Sequence, residues 1–151
     1  MTPLDAKALH ALAEVYHGSP IGRTTGMRIT FDAEGRATCK WRHAPDYDHA
    51  LGAVHGGLLA TMLDNGGWFT AAAAHGEWVV TSDLHVRLLA ATSGQDLRAT
   101  GTVVRAGRRL TIVAIELLAA DGTLVATATG AFCPTGKPLP PPGAPAHPES
   151  P

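Results

Sequence analysis

The stretch from residue 55 to residue 74 constrains the fold most, because it must form one long helix with two different faces. Its residues at positions 58, 59, 62, 66, 69 and 73 recur at helical spacing, which predicts a face buried in the protein core. The opposite face carries Gly57, Thr61, Asp64 and Trp68. Each glycine inside a helix costs about 1 kcal/mol relative to alanine. The pairs Gly56-Gly57 and Gly66-Gly67 therefore predict a close approach to the helix backbone.

The composition indicates one soluble domain. The chain has 151 residues, of which 45% are hydrophobic, and 12 basic against 13 acidic residues, which predicts one core and excludes the basic surface that nucleic acid requires. The N-terminus lacks a signal-peptide pattern, and no apolar run is long enough to span a membrane. Cys39 and Cys133 fit neither a disulfide framework nor a zinc pattern. We expect a cytoplasmic protein without a membrane partner.

Turn signals divide the rest of the chain into strands and helices. A short helix is predicted up to Tyr16, followed by a hairpin over residues 27–41 and an irregular loop over 43–54. The glycine after His75 predicts the end of the long helix. Alternating apolar residues then predict four strands, over residues 78–89, 96–105, 110–119 and 123–132.

About six strands with one long helix after the second predict a curved antiparallel sheet wrapped around that helix. One such sheet leaves an edge and part of the helix uncovered, so a partner subunit is expected to cover them. The domain organisation predicted is an N-terminal helix over residues 1–19, the main domain over 20–133, and a disordered Pro-rich tail over 134–151.

The run from Gly52 to Gly57, the aspartate eight positions after Gly56, and the Gly-Arg-Arg turn at 107–109 resemble the hotdog-fold acyl-CoA thioesterases of the phenylacetic-acid-degradation (PaaI) type. The resemblance covers roughly residues 20–133. It implies an α+β hotdog fold, with an antiparallel sheet of five to six strands around the long helix. It also implies hydrolysis of an acyl- or aryl-CoA thioester by a homodimer, or by a homotetramer built as a dimer of dimers.

The resemblance assigns the two central catalytic roles to residues of the long helix. Gly56 N–H would polarise the thioester carbonyl, since the N–H groups at a helix start lack intrahelical partners. Asp64 would act as general base or nucleophile. The alternatives are a glycine that only makes a turn and a solvated aspartate on a polar helix face. Because eight helical residues span about 12 Å, Asp64 is expected to face Gly56 of the partner subunit.

Three further residues are predicted to be catalytic. His49 stands where relatives carry an amide side chain, so it would bind the carbonyl or transfer a proton; a surface histidine is the alternative. His55 is expected to order the loop, with its ring pointing away from the N–H groups of the helix start. Thr81 matches a hydroxyl that orients water near the carboxylate, unless it serves only strand formation.

The residues predicted to bind substrate fall into two groups. Gly57, Thr61 and Trp68 share the face of Asp64, and Trp68 would line the acyl pocket or pack in the subunit interface. The second glycine pair would let Asp64 and Trp68 approach the partner. Coenzyme A carries phosphates, for which Arg105, Arg108 and Arg109 are the candidates; solvated arginines are the alternative.

No metal is expected, because the histidines lack the closely spaced pairs of a zinc site, and no cofactor is expected beyond the coenzyme A of the substrate. Two other functions are the alternatives. One is a non-catalytic domain that binds or senses acyl-CoA. The other is a hotdog enoyl-CoA hydratase or dehydratase, which would need His49 or His55 as its base.

Overall fold

The computed structural model describes residues 4–141 and 143. Its elements are α1 (Ala6–Gly18), α2 (Pro20–Thr25), β1 (Arg28–Phe31), β2 (Ala37–Trp41), a 3-10 turn (Pro45–Tyr47), α3 (Gly56–His75), β3 (Glu77–Leu88), β4 (Leu97–Ala106), β5 (Thr111–Ala119) and β6 (Leu124–Pro138). Among the described residues, no helix combines the length and the apolar character that a membrane crossing demands.

The six strands form one antiparallel sheet in the order β1-β2-β4-β5-β6-β3. The sheet curls around α3, which contacts all six strands, and this confirms the predicted hotdog architecture. Helix α3 ends where the sequence predicts, because Gly76 adopts the left-handed conformation with φ 73° and caps the last turn.

Two elements differ from the sequence prediction. Helix α2 was not predicted, although Ser19 accepts a hydrogen bond from Gly22 N–H and Pro20 opens the helix, which is a typical helix start. Strand β6 continues to Pro138 and pairs with β3 beyond residue 133, because β5 has ended there and a proline lacking N–H is tolerated. The remainder of the predicted tail, residue 142 and residues 144–151, lies outside the described residues.

The glycines in the middle of α3 allow the helix to lie close to its own sheet. A Cβ on Gly66 would lie 2.8 Å from the carbonyl oxygen of Ala99, and one on Gly67 would lie 2.6 Å from Cζ of Phe132. Both glycines are buried. The prediction that this pair lets Asp64 and Trp68 approach a neighbouring subunit is therefore wrong; the approaching group is the sheet.

Strand β3 contains a bulge that changes which of its residues face the helix. Thr81 pairs with Phe132 and Asp83 pairs with Ala131, so Ser82 is an extra residue. Directly before it, Val79 and Thr81 face α3; after it, even-numbered residues such as Leu84 do so. Bulges of this kind redirect side chains next to functional sites.

Candidate active site

The first candidate group lies at the start of α3. His55 is the N-cap residue, and its Nδ1 accepts a hydrogen bond from Gly57 N–H at 2.9 Å. Its ring thus turns back over the helix start, in contrast to the orientation expected from the sequence. Within residues 4–141, no acceptor is found for the N–H of Gly56. This leaves a donor at the positive end of the helix dipole, where an oxygen that becomes negative is stabilised.

Close contacts explain both glycines of the motif. A Cβ on Gly56 would lie 2.8 Å from Cδ1 of Leu88, and a Cβ on Gly57 would lie 3.0 Å from Nδ1 of His55. Neither glycine has a positive φ. Added bulk at either position would therefore crowd a neighbouring side chain, and neither glycine is needed for a left-handed backbone conformation.

His49 lies beside this donor. It shares a cavity of about 360 Å³ with Gly56, Leu59 and Leu88. Its Nδ1 accepts a hydrogen bond from Leu51 N–H at 3.1 Å, so the neutral ring carries its proton on Nε2. His49 Nε2–H is therefore free to act as a second hydrogen-bond donor in this cavity.

Asp64 lies in the middle of α3 and is half-buried. Thr81 Oγ1 donates a hydrogen bond to its Oδ1 at 2.8 Å, so the structure brings together two residues that the sequence predicts to cooperate. Burial raises the pKa of the Asp64 carboxyl, and the hydrogen bond from Thr81 opposes this in part. A carboxylate with a raised pKa is a stronger base, provided that it is ionised at the working pH.

An aromatic cavity of about 340 Å³ opens beside Asp64. Trp68 lines it and is held in place, because its Nε1 donates a hydrogen bond to the carbonyl oxygen of Val79 at 2.9 Å. Its ring centroid lies 5.3 Å from that of Trp78. Sequence reasoning missed several members of this lining: Tyr16, Asn65, Phe69 and Trp78.

Other predicted residues are placed less directly. The hydroxyl of Thr61 donates to the carbonyl oxygen of Gly57 at 3.0 Å, and Gly57 N–H is bound to His55. Both groups therefore serve the helix itself. Arg105 is exposed on β4, and Arg108 and Arg109 are exposed in the turn that follows.

The arginine turn lies at the far end of α3 from Gly56. His75 at the helix end is 2.7 Å from the hydroxyl of Thr111 (Nε2 to Oγ1), directly after the turn. A helix of 20 residues is about 30 Å long. Within one chain, the arginines are thus closer to Asp64 than to Gly56.

The predicted residues fall into two groups at different points along α3, and these groups are called half-sites below. Gly56 and His49 line one cavity, while Asp64 lines another and accepts a hydrogen bond from Thr81. Across the part of the chain that the structure describes, no group of three histidine, cysteine, aspartate or glutamate side chains could hold a metal ion.

Comparison with known proteins identifies the family. The family model described as the thioesterase superfamily matches residues 51–126, half of the chain. The chain belongs to the thioesterase superfamily. It is therefore a thioester hydrolase, and the matched region contains Gly56, Asp64 and Thr81, whereas His49 lies just before it.

Individual members of the thioesterase superfamily agree with this assignment. Acyl-coenzyme A thioesterase 13 of Homo sapiens is 29% identical over 97 residues, which cover 62% of this chain and 69% of the human protein. The E. coli PaaI protein of the phenylacetic acid degradation operon has the same fold, with a TM-score of 0.81 at 21% identity, over 89% of this chain and 97% of PaaI. A thioesterase family protein of Silicibacter pomeroyi gives 0.75 at 24% identity, over 83% and 96%. The predicted PaaI-type hotdog fold is confirmed.

Proposed function

We propose that the protein is an acyl-CoA thioesterase, which hydrolyses an acyl- or aryl-CoA thioester to the carboxylic acid and coenzyme A. The observation that supports this most directly is the combination, on one helix, of an N–H without an acceptor at Gly56 and a half-buried carboxylate at Asp64 held by Thr81. The human relative is named for the same reaction class. No cofactor is required beyond the coenzyme A of the substrate.

In the proposed reaction, the thioester carbonyl accepts hydrogen bonds from Gly56 N–H and from His49 Nε2–H. Asp64 removes a proton from water, and the water oxygen attacks the carbonyl carbon. The negative charge that develops on the carbonyl oxygen is stabilised by the two donors. The carbon–sulfur bond then breaks, and the proton on Asp64 returns to the leaving thiolate. In the alternative route, Asp64 attacks the carbonyl carbon directly and expels coenzyme A as the thiolate, which forms an anhydride. When water then attacks the Asp64 carbonyl of the anhydride, solvent ¹⁸O enters the carboxylate in a single turnover.

The two half-sites serve one carbonyl only if they come from different subunits. Gly56 and Asp64 are eight residues apart, which is about 12 Å along a helix. A second copy with its helix antiparallel would place Asp64 opposite Gly56 of the partner subunit. The free edge of β3 supports an interface here, because Val80 and Leu88 are 53% and 54% exposed on this strand.

A mixture of two inactive variants tests the shared site. Asp64→Asn and Gly56→Pro, each inactive alone, should regain about a quarter of wild-type activity when co-expressed, because random pairing gives half heterodimers with one intact site each. The measurement is thiol release by purified, mixed dimers. Each variant expressed with itself is the control. A mixture that stays inactive while heterodimers form would place both groups within one subunit.

The aromatic cavity beside Asp64 is proposed to bind the acyl group. A cavity of about 150 Å³ holds a benzene ring, so this one has room for a ring or a medium-length chain. Trp78→Leu removes part of its apolar wall. We expect kcat/KM for hexanoyl-CoA to fall about tenfold relative to acetyl-CoA, since the loss of about 50 Å² of apolar contact costs about 1.3 kcal/mol.

The measured quantity is the ratio of kcat/KM for hexanoyl-CoA to kcat/KM for acetyl-CoA, so a general loss of folded enzyme cancels. An equal decrease for acetyl-CoA and hexanoyl-CoA would contradict the assignment of this cavity.

The phosphates of coenzyme A are proposed to bind Arg105, Arg108 and Arg109. The turn that carries these arginines lies beyond Asp64 toward the end of α3, about 16 Å along the helix axis.

The alternative functions have weaker support. A hydratase needs a histidine base paired with a carboxylate, whereas the Nδ1 atoms of His49 and His55 both accept from backbone N–H groups. A domain that only binds acyl-CoA has no use for the Asp64–Thr81 pair. Thiol release from a panel of acyl-CoAs tests the proposal; loss of enoyl-CoA absorbance without thiol release would favour a hydratase, and binding without turnover a sensor.

A further inference from the structure

The residue that caps α3 is a histidine, although Ser, Thr, Asp and Asn are the usual N-caps. Its Nδ1 can accept the hydrogen bond from Gly57 N–H, 2.9 Å away, only while this nitrogen carries no proton. A Cβ on Gly57 would lie 3.0 Å from Nδ1 and 3.2 Å from Cε1 of His55, so glycine at this position lets the ring lie close to the helix start. The ring and the second glycine of the motif therefore form one structural unit.

We propose that His55 is a positioning residue that fixes the Gly56 N–H for catalysis only while its imidazole is neutral. This rests on the proposed function of Gly56 as the donor to the thioester carbonyl. The Gly56 N–H belongs to the same peptide plane as the carbonyl of His55, which accepts from Leu58 N–H at 2.9 Å. The ring holds the next peptide plane through Gly57 N–H, so the backbone is fixed on both sides of the donor.

Protonation of His55 removes this arrangement in two ways. Nδ1 becomes a donor, so two N–H groups then face each other where a hydrogen bond existed. The ring also becomes positive at the positive end of the helix dipole, where cations are unfavourable. Protonation of His55 is therefore expected to release the Gly56 N–H from its fixed direction.

Other ionisable groups around this end of the helix could give a similar pH dependence. His49 shares the cavity with Gly56. Asp48 lies in the same loop, and its Oδ1 is 3.1 Å from Nε2 of His43. Arg87 lies on the outer face of β3, and Asp64 lies further along α3 with a raised pKa. The test must therefore change His55 alone and keep a capping group in its place.

His55→Asn is the decisive variant, because asparagine is a strong N-cap that does not titrate. We expect it to retain kcat/KM within about threefold at pH 8. The acidic decrease expected for the wild type, about tenfold per pH unit for one ionisation, should disappear or move to the limb that Asp64 produces. His55→Ala, which has no cap, should be about fivefold slower than the wild type at pH 8, and its residual activity should not follow the wild-type imidazole limb.

A second measurement is independent of turnover. In the full-length protein, the ¹⁵N-labelled amide of Gly57 should shift with the same midpoint as the His55 ring, and this shift should be absent in His55→Asn. A Gly57 amide that ignores the His55 titration, or an unchanged acidic limb in His55→Asn, would overturn the inference while the thioesterase function stood. Loss of all thiol release from the wild type at every pH would refute the proposed function instead, and the amide titration would still decide whether the cap senses pH.

Discussion

Asp64→Asn should lower kcat for acyl-CoA hydrolysis by about 10³-fold, within the range that a positioned general base contributes. The variant keeps the size of the side chain and an oxygen that can accept the hydrogen bond from Thr81. It removes only the capacity to take a proton or to attack the carbonyl. Thiol release at saturating acyl-CoA measures the effect, and KM should change little.

The stability of Asp64→Asn provides a control for folding. The folded protein holds the pKa of Asp64 above its usual value because of burial, so ionisation of Asp64 costs stability as the pH rises above that value. The neutral variant should therefore be at least as stable as the wild type at pH 7, and the difference should vanish at pH values well below 3.8, the reference value for aspartate. Asp83→Asn, at an exposed carboxylate on β3, the strand that carries Thr81, should leave kcat unchanged. If Asp64→Asn kept most of its activity, the mechanism would be wrong.

Gly56→Pro should lower kcat by about 10²- to 10³-fold, which is typical for the loss of one oxyanion donor. Proline at the first position of a helix is well tolerated, and its missing N–H has no partner inside the helix. The residue before a proline must be extended, and His55 already has φ −61° and ψ 133°. The substitution thus removes the proposed donor and keeps the helix start.

Gly56→Ala is the matched control, because it adds the same Cβ against Leu88 but keeps the N–H. The contact involves Cδ1 at the flexible end of the leucine side chain, so we expect a decrease in kcat of less than about tenfold, as for mild crowding. Equal losses in the two variants would show that space at Gly56, and not its N–H, is what matters.

The order of elements could be predicted from the sequence because local signals agree with the fold. The helical period of α3 and its terminal glycine set its limits, and the turns between β4, β5 and β6 mark a meander. The position of Asp64 followed from the spacing along the helix. Its neighbour Thr81 required a resemblance to relatives, since the two are 17 residues apart in the chain.

Other parts of the site depend on tertiary contacts that leave no local signal. The role of Gly66 and Gly67 depends on which atoms of β4 and β6 lie beneath the helix, and no helical period indicates this. The aromatic cavity combines Tyr16 of α1 with Trp78 of β3, two residues that the sequence assigns to unrelated elements. The direction of the His55 ring depends on the absence of a Cβ at Gly57, a relation visible only once the backbone is built.

The extra residue at Ser82 changes which side chains of β3 point toward α3. With regular alternation beyond Thr81, the chain would turn Asp83, His85 and Arg87 toward α3, and three ionisable groups would enter an apolar interior. The one-residue insertion instead packs Leu84 and Val86 against the core and places Leu88, which stays 54% exposed, beside Gly56. The same strand thereby contributes the Thr81 hydroxyl to the half-site of Asp64 before the bulge, and the Leu88 side chain to the half-site of Gly56 after it.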